Sequence, residues 1–187
     1  MSFIKTATIC LIGFLFISGC TSPQGHMANP SERITSIAHY GLLKSLTGDW
    51  YLVGGERLGK KVEPNLEEPF MSYTVNSGGH AVVEKLFVGK PNEMISIYYL
   101  DMGRLKMDHY CSLGNQPRMV SVPSADNLGL TFEVVGISNM PEKDDLHISS
   151  HRLEFNGAHE LTVYWGATKD QQPSSGSVYN VKRIRLR

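Results

Sequence analysis

The sequence has few cysteines and no excess of charge of either sign. Its 187 residues include three cysteines, and 18 lysines and arginines balance 18 aspartates and glutamates. Proteins that bind nucleic acid usually carry a basic excess that neutralises phosphates, so this balance argues against a nucleic-acid partner. The sequence also lacks G-x-S-x-G, P-loop and G-x-G-x-x-G motifs in the contexts that give them meaning. The common short signatures of hydrolases and nucleotide-binding enzymes are therefore missing.

Long apolar runs are also scarce, and the clearest one lies near the N-terminus. Residues Ala7 to Ile17 are almost wholly apolar and follow the positive charge of Lys5. This run is too short to cross a membrane as a helix, but it has the length of the apolar region of a secretory signal peptide. The leader therefore predicts export from the cytoplasm.

The residues after this run, Ile17-Ser18-Gly19-Cys20, resemble the bacterial lipobox, in which the cysteine is lipidated and becomes the mature N-terminus. The resemblance implies a lipoprotein signal peptide over residues 1–19, a lipidated cysteine and tether over residues 20–29, and a domain over residues 30–187. Several acyl chains on Cys20 would anchor the protein stably. Thr21 in place of aspartate implies sorting to the outer membrane, on its periplasmic side. The alternative is an ordinary secretory signal that is cleaved elsewhere.

The mature chain would keep one thiol, Cys111. Cys10 leaves with the signal peptide and Cys20 carries lipid, so an intramolecular disulfide is excluded. A lone thiol in an oxidising compartment is either buried or used. Because Cys111 alternates onto the same strand face as Leu105 and Met107, we predict that it is buried and unreactive.

The remaining chain predicts one helix followed by an antiparallel sheet. Asn29-Pro30-Ser31-Glu32 is typical of a helix start, and apolar residues continue at helical spacing, which predicts a helix over Pro30 to Leu46 ended by Gly48. After Gly48 the apolar period becomes two and turn residues recur. The fold class is therefore all-β, an antiparallel up-and-down barrel with one N-terminal helix. We predict about ten strands, with Gln171 to Gly176 as a polar loop: Trp50 to Val53, Met71 to Val75, His80 to Val88, Met94 to Asp101, Leu105 to Cys111, Arg118 to Val122, Leu130 to Val135, His147 to Phe155, Leu161 to Ala167 and Val178 to Leu186.

The two ends of this predicted barrel resemble the calycins, the group that includes lipocalins and fatty-acid-binding proteins. Gly48-Asp49-Trp50 opens the first strand, and Lys182-Arg183-Ile184-Arg185-Leu186-Arg187 ends the last. The resemblance implies that a basic residue of the last strand covers Trp50. The leading helix is most similar to the nitrobindin and fatty-acid-binding side of the group. Haem, held by one axial histidine, is an option that the resemblance brings, but no local pattern singles out one of the seven histidines, so the cofactor is unknown.

Alternation along the strands predicts which side chains share the interior. On the fifth predicted strand, His109 and Cys111 share a face with apolar residues. On the third, Glu84 lies on the apolar face. The eighth carries His147 and His151 on one face, and its orientation is left open. His109 and Glu84 are therefore the interior polar candidates.

The stretch from His109 to Met119 concentrates polar groups and has two interpretations. It is similar to a stretch in uncharacterised bacterial secreted proteins, which brings no activity with it. Either Gly114, Asn115 and Pro117 form a well-tied turn, or polar side chains of the stretch converge on the polar head of a ligand whose body lies in the barrel. The predicted ligand-binding residues are His109, Asn115, Gln116, Arg118 and Glu84.

The most economical function is membrane-anchored binding of a small, partly apolar ligand inside the barrel. One alternative is an enzyme that uses His109 with Glu84 or Cys111. Another is a structural envelope protein whose barrel is filled with side chains. His109 and Cys111 could share a metal ion, but the sequence indicates no third ligand, so we predict no metal site.

Overall fold

The computed structural model describes residues 27–123 and 129–184. The predicted signal peptide, the predicted lipidation site at Cys20 and most of the predicted tether lie outside the described residues, as do the last three residues of the chain. The described chain forms one helix and eleven strands. Their bounds are α1 Pro30–Ser45, β1 Gly48–Arg57, β2 Lys60–Val62, β3 Met71–Asn76, β4 Ala81–Leu86, β5 Met94–Asp101, β6 Arg104–Tyr110, β7 Gln116–Val122, β8 Gly129–Ser138, β9 His147–Phe155, β10 Glu160–Lys169 and β11 Gln172–Lys182.

The sheet closes into an antiparallel barrel of ten strands, with β2 as an extra strand on β1. From β3 to β11 each strand pairs with the next along the chain, and β11 returns to pair with β1. A bulge in β1 lies where it meets β11, and a Cβ on Gly55 would lie 2.1 Å from the carbonyl oxygen of Val178. Only glycine allows this approach, which joins the two ends of the sheet. The predicted all-β up-and-down barrel with one N-terminal helix is confirmed.

Helix α1 starts where the sequence predicts. Asn29 Oδ1 accepts a hydrogen bond from the Glu32 backbone N–H at 2.9 Å, and Glu32 Oε2 accepts one from the Asn29 N–H at 2.9 Å. This reciprocal capping box, with Pro30 at the first helical position, satisfies N–H groups that the helix leaves free. The helix ends at Ser45 with Leu46 as its cap, slightly before the predicted stop at Gly48.

Helix α1 covers one end of the barrel. Tyr40 donates its hydroxyl to the Gly79 carbonyl at 3.1 Å, between β3 and β4. Ser36 Oγ accepts from the Leu105 N–H at 3.2 Å, and the Ala28 N–H donates to the Met102 carbonyl at 3.0 Å, both beside the β5–β6 turn. These contacts place α1 at the end where those turns lie.

Trp50 and Arg183 join the first and last strands beneath this helix. The indole Nε1–H of Trp50, itself buried, donates to the Leu46 carbonyl at 2.8 Å. The guanidinium of Arg183 lies 4.7 Å from the centre of the Trp50 ring and donates to the carbonyls of Ser45 and Thr47. This is the arrangement of basic residue and tryptophan that the calycin resemblance implies.

The structure changes several predicted strand bounds; β1 runs to Arg57, where the prediction ended it at Val53, and the largest changes lie at the C-terminus. Gln172 to Gly176 was predicted to be a loop but forms the first half of β11, paired with β10. The last strand ends at Lys182, whereas it was predicted to reach Leu186. Strand β2 was not predicted, because its three residues are too short for a periodic pattern.

Candidate functional site

A row of polar side chains crosses four neighbouring strands inside the barrel. Tyr73 on β3 pairs with Glu84 on β4, Glu84 pairs with Ser96 on β5, and Ser96 pairs with His109 on β6. Residues directly opposite in an antiparallel ladder point to the same face, so the register itself brings these four side chains together. All four are buried. We call them the polar row.

A second row faces it from the other side of the barrel. Phe132 on β8 pairs with His151 on β9, and His151 pairs with Trp165 on β10. The ring centres of His151 and Trp165 lie 3.9 Å apart in a stacked arrangement, and those of His109 and Trp165 lie 4.6 Å apart. We call Phe132, His151 and Trp165 the aromatic row. The two rows contact each other through the rings of His109 and Trp165.

Glu84 is the centre of the hydrogen bonding between the rows. Its Oε2 lies 2.7 Å from the hydroxyls of both Tyr73 and Tyr98, and its Oε1 lies 3.3 Å from Ser96 Oγ. Tyr98 also lies 3.0 Å from His151 Nε2, and Ser96 lies 3.0 Å from His109 Nδ1. One carboxyl group thus connects to both imidazoles, through one hydroxyl in each case.

Burial controls the charge of these groups. It raises the pKa of Glu84 above its ordinary value, against the effect of hydrogen bonds from Tyr98, Tyr73 and Ser96. It lowers the pKa of His109 to about 4. Burial, with the charge of His109 as a smaller cause, lowers the pKa of His151 to about 3. Both imidazoles are therefore neutral at pH 7.

Counting hydrogens favours a proton on Glu84. His151 Nδ1 lies 3.1 Å from the Tyr164 carbonyl, which can only accept, so Nδ1 carries the hydrogen and Nε2 must accept. Tyr98 has one hydroxyl hydrogen and lies within bonding distance of both Nε2 and Glu84 Oε2. If Tyr98 donates to His151, its contact with Glu84 needs a hydrogen from the carboxyl group. A protonated Glu84 supplies it.

A pocket of about 100 Å³ lies at the barrel end opposite α1. The rings of His109 and Trp165 form part of its lining, and most of the other lining residues are apolar. None of the lining residues, all within the described ranges, is acidic, whereas Arg57 stands at the rim with its guanidinium 4.5 Å from the Phe87 ring centre. The remaining apolar lining includes Leu58, Leu86, Met94, Leu113, Ile148 and Tyr179.

Two nitrogen atoms beside this pocket have no hydrogen-bond partner among the described residues. They are His109 Nε2 and Trp165 Nε1. His109 is fully buried and Trp165 is 4% exposed, so water does not reach these atoms freely. A buried polar group without a partner costs roughly 1–3 kcal/mol. Asn115 Oδ1 and Arg183 Nε also lack a partner among the described residues, but neither residue lines the pocket, whereas His109 and Trp165 do.

The structure separates the residues of the His109 to Met119 stretch. Asn115 is buried and its Nδ2 donates to the Leu146 carbonyl at 3.0 Å, while Gln116 Nε2 donates to the Gly114 carbonyl at 2.8 Å. Both side chains therefore stabilise the local backbone through hydrogen bonds to carbonyl groups. Arg118 is exposed and pairs in register with Asp108. Their side chains lie on the outer face of the barrel, whereas that of His109, the next residue along β6, points inward. Of the predicted ligand-binding residues, the structure brings together Glu84 and His109.

Cys111 lies just beyond the end of β6 and lines the pocket. It is half-buried, less than predicted, and its sulfur lies 3.9 Å from Met94 Sδ. Burial raises the pKa of the thiol, against hydrogen bonds from the Leu113 and Ser112 backbone. The thiol is therefore a poor nucleophile, but it is not enclosed.

Sequence reasoning missed Ser96, Tyr73, Tyr98, His151 and Trp165. The strand register could have identified Ser96 and Tyr73. The short connection between β5 and β6 at Met102-Gly103 places Ser96 opposite His109, and Tyr73 lies opposite Glu84. Contacts across the barrel, such as that of Trp165 with His109, leave no local signal.

Comparison with known proteins adds no family: no family model matches the sequence, and no curated protein matches it. Within residues 27–123 and 129–184, no helix is long and apolar enough to cross a membrane. In the same part of the chain, no three side chains of His, Cys, Asp or Glu lie together as a metal site would require.

Proposed function

We propose that this protein is a calycin-like lipoprotein that binds a small, partly apolar ligand in the pocket opposite α1. The observation that carries the proposal is the pair of unpartnered nitrogens, His109 Nε2 and Trp165 Nε1, beside an otherwise mostly apolar pocket. Small-molecule sites are commonly apolar with a few fixed polar groups that orient the ligand. A ligand that supplies partners for both nitrogens would gain the favourable free energy of those hydrogen bonds.

The nitrogens also limit the chemistry of the ligand. An indole N–H can only donate, so the ligand atom at Trp165 is an acceptor such as a carbonyl or carboxylate oxygen. His109 Nε2 donates or accepts, depending on whether its Nδ1 accepts from or donates to Ser96. Arg57 at the rim and the lack of acidic lining residues favour a neutral or negatively charged head.

The size of the pocket limits what can enter. A cavity of about 150 Å³ lined by apolar residues accommodates benzene. This pocket, of about 100 Å³, therefore holds a chemical group smaller than benzene. Most of the remaining interior is filled, with Trp50, Tyr73, Tyr98 and Tyr179 among the largest buried side chains. A larger ligand would place only its head and the adjoining carbons inside.

The lipobox-like sequence at Cys20 supports the location at the outer membrane, on the periplasmic side. The paired Trp50 and Arg183 support the calycin-like assignment. The full proposal is thus a barrel tethered near α1, with its binding pocket at the far end.

A second candidate is acid–base catalysis by His109. The connection from Glu84 through Ser96 to His109 favours it, because a carboxyl group that orients an imidazole is a recurring catalytic arrangement. The pKa of His109, about 4, makes this imidazole a weak base at pH 7. Cys111, with its raised pKa and its contact to Met94, is less suited to the nucleophile role.

The test begins with protein purified from its own membrane in mild detergent. Mass spectrometry of material extracted from it should identify a compound with an acceptor oxygen and an apolar body. Trp165→Phe keeps an aromatic ring but removes the N–H donor together with part of the indole, so it should weaken binding of that compound roughly tenfold. Its melting temperature should change little, because losing an unpartnered donor offsets the small cavity that the smaller ring leaves.

Arg118→Met is the matched control, since Arg118 lies on the outer wall and should bind as wild type does. If Trp165→Phe and His109→Gln both bind the extracted compound as tightly as Arg118→Met, the pocket is not the site. Turnover of the compound by wild type, but not by His109→Gln, would favour the enzyme instead.

A further inference from the structure

Helix α1 has a second apolar face that points away from the barrel. The residues that α1 buries against the barrel are Ser36, Tyr40 and Leu43. On the opposite side, exposed apolar or small residues recur three and four positions apart, the spacing of one helix face. We call this set the outer stripe: Ile34, Ile37, Ala38, Gly41 and Leu42.

The large residues of the outer stripe are strongly exposed. Ile34 is 70% exposed, Ile37 54% and Leu42 45%. Met27 and Met102, at the same end of the barrel, are 59% and 53% exposed. A soluble domain rarely collects this many large apolar side chains at one end unless something covers them.

We propose that the outer stripe lies on the surface of the membrane, with the axis of α1 parallel to it. This inference rests on the anchor at Cys20 that the proposed function includes. Six residues lie between Cys20 and Met27, so the seven Cα-to-Cα steps from one to the other span at most about 25 Å even when the chain is fully extended. The start of α1 therefore cannot move far from the acyl chains.

The composition of the helix fits a lipid surface. Helices that lie in the interface carry a stripe of large apolar residues flanked by basic ones. Arg33 and Lys44 lie along one edge of the outer stripe, and Lys44 also packs its ammonium 4.7 Å from the Tyr40 ring centre. Their long apolar stems can lie along the interface while their charges meet anionic head groups.

A second copy of the chain fits the stripe less well. A helix of 16 residues is about 24 Å long and about 10 Å wide, so one face of it offers roughly 240 Å². A stable protein interface buries about 800 Å² on each partner. The stripe alone is too small for a stable dimer, whereas an anchored protein needs only weak additional contact to keep its orientation.

The test uses the full lipidated protein in vesicles of phosphatidylethanolamine and phosphatidylglycerol. In a Cys111→Ser background, Ile37→Cys carries an environment-sensitive fluorophore on the stripe. Val135→Cys, exposed near the pocket end, carries the same fluorophore as the matched control. A second stripe position, Ile34→Cys, must report the same result as Ile37→Cys.

Spin-labelled lipids should quench the stripe labels at least twice as strongly as the label at position 135, and aqueous iodide should quench them less. Equal quenching at both ends overturns the inference while leaving the anchor intact, provided that the protein floats with the vesicles. Shielding from iodide without quenching by lipid would mean that a protein covers the stripe, which also overturns it. If the protein does not float with vesicles at all, the anchor fails, and this inference fails with it.

Discussion

Glu84→Gln should remove one contribution that falls as pH rises. The direction in which its free energy of unfolding, relative to wild type, changes with pH tests whether the native barrel holds a neutral carboxyl group. Glutamine has the shape of a protonated glutamate. Its NH₂ can donate to Ser96 Oγ while its oxygen accepts from Tyr73, so these two hydrogen bonds are kept, whereas the one that a protonated Oε2 donates to Tyr98 is lost, at a cost that does not depend on pH. What the substitution removes is the capacity to lose a proton.

The magnitude follows from linkage. Burial raises the native pKa of Glu84 above 4.5, its ordinary value. As pH rises above 4.5, the unfolded chain releases this proton while the native state keeps it, so wild-type stability falls by up to about 1.4 kcal/mol per pH unit. The fall stops at the native pKa. Glu84→Gln lacks this term, and its free energy of unfolding relative to wild type should therefore rise over the same range.

Urea unfolding of both proteins at several values between pH 4.5 and 8 measures the difference. Contributions of other groups, such as the two buried imidazoles, appear in both proteins and cancel in the difference. Glu133→Gln, the same substitution at an exposed position of β8, controls for the change of residue type. If the free energy of unfolding of Glu84→Gln relative to wild type stays constant or falls as pH rises, Glu84 is ionised in the native state. That result would refute the hydrogen count at Tyr98.

Three further results are expected. The stability of Glu84→Gln, which lacks the opposing contribution of Glu84, should fall steeply as pH drops from about 6.5 towards 4, because His109 and His151 fold as neutral groups with pKa values of about 4 and about 3 while unfolded imidazoles take up protons; a flat urea-unfolding profile over that range would contradict it. Cys111 should react with a thiol reagent more slowly in the native protein than after denaturation, and more slowly still with the pocket occupied, because it is half-buried and lines the pocket; labelling that ignores occupancy would separate the thiol from the site. Arg183→Met should lower the free energy of unfolding by about 1–3 kcal/mol, because it removes the cation over Trp50 and hydrogen bonds to two helix-end carbonyls; an unchanged urea midpoint would show that this contact contributes little.

Local periodicity was enough to predict the fold and two residues of the polar row, Glu84 and His109. Alternation placed Glu84 and His109 inside because each shares a face with apolar neighbours, and both are fully buried. It failed for His151, since both faces of β9 mix polar and apolar residues. What decides that orientation is the stack on Trp165, a partner on another strand.

Pairing also overrode composition at the C-terminal hairpin. Residues 172–176 contain proline, serine and glycine, which are typical of loops. They form a strand because β10 supplies a partner along that length, with Ala167 opposite Ser174 and Thr168 opposite Pro173. Arg118 shows a different limit: its neighbours Pro117 and Met119 are buried, so ordinary alternation along β7 places Arg118 on the outer face, although the sequence alone assigned no face to this strand.

The cover that α1 makes over one end of the barrel has a kinetic consequence. A ligand bound in the pocket as proposed would arrive and depart through the same mouth, at whose rim Leu58 and Leu113 are 50% and 53% exposed. Trimming such a rim residue lowers one barrier that both directions share, so the association and dissociation rates should both rise, and the dissociation rate should rise more because Leu58 and Leu113 also line the pocket. Changes at Trp165 act on the bound state alone and should appear in the dissociation rate. The association rate should therefore respond to changes at the rim and not to changes at Trp165.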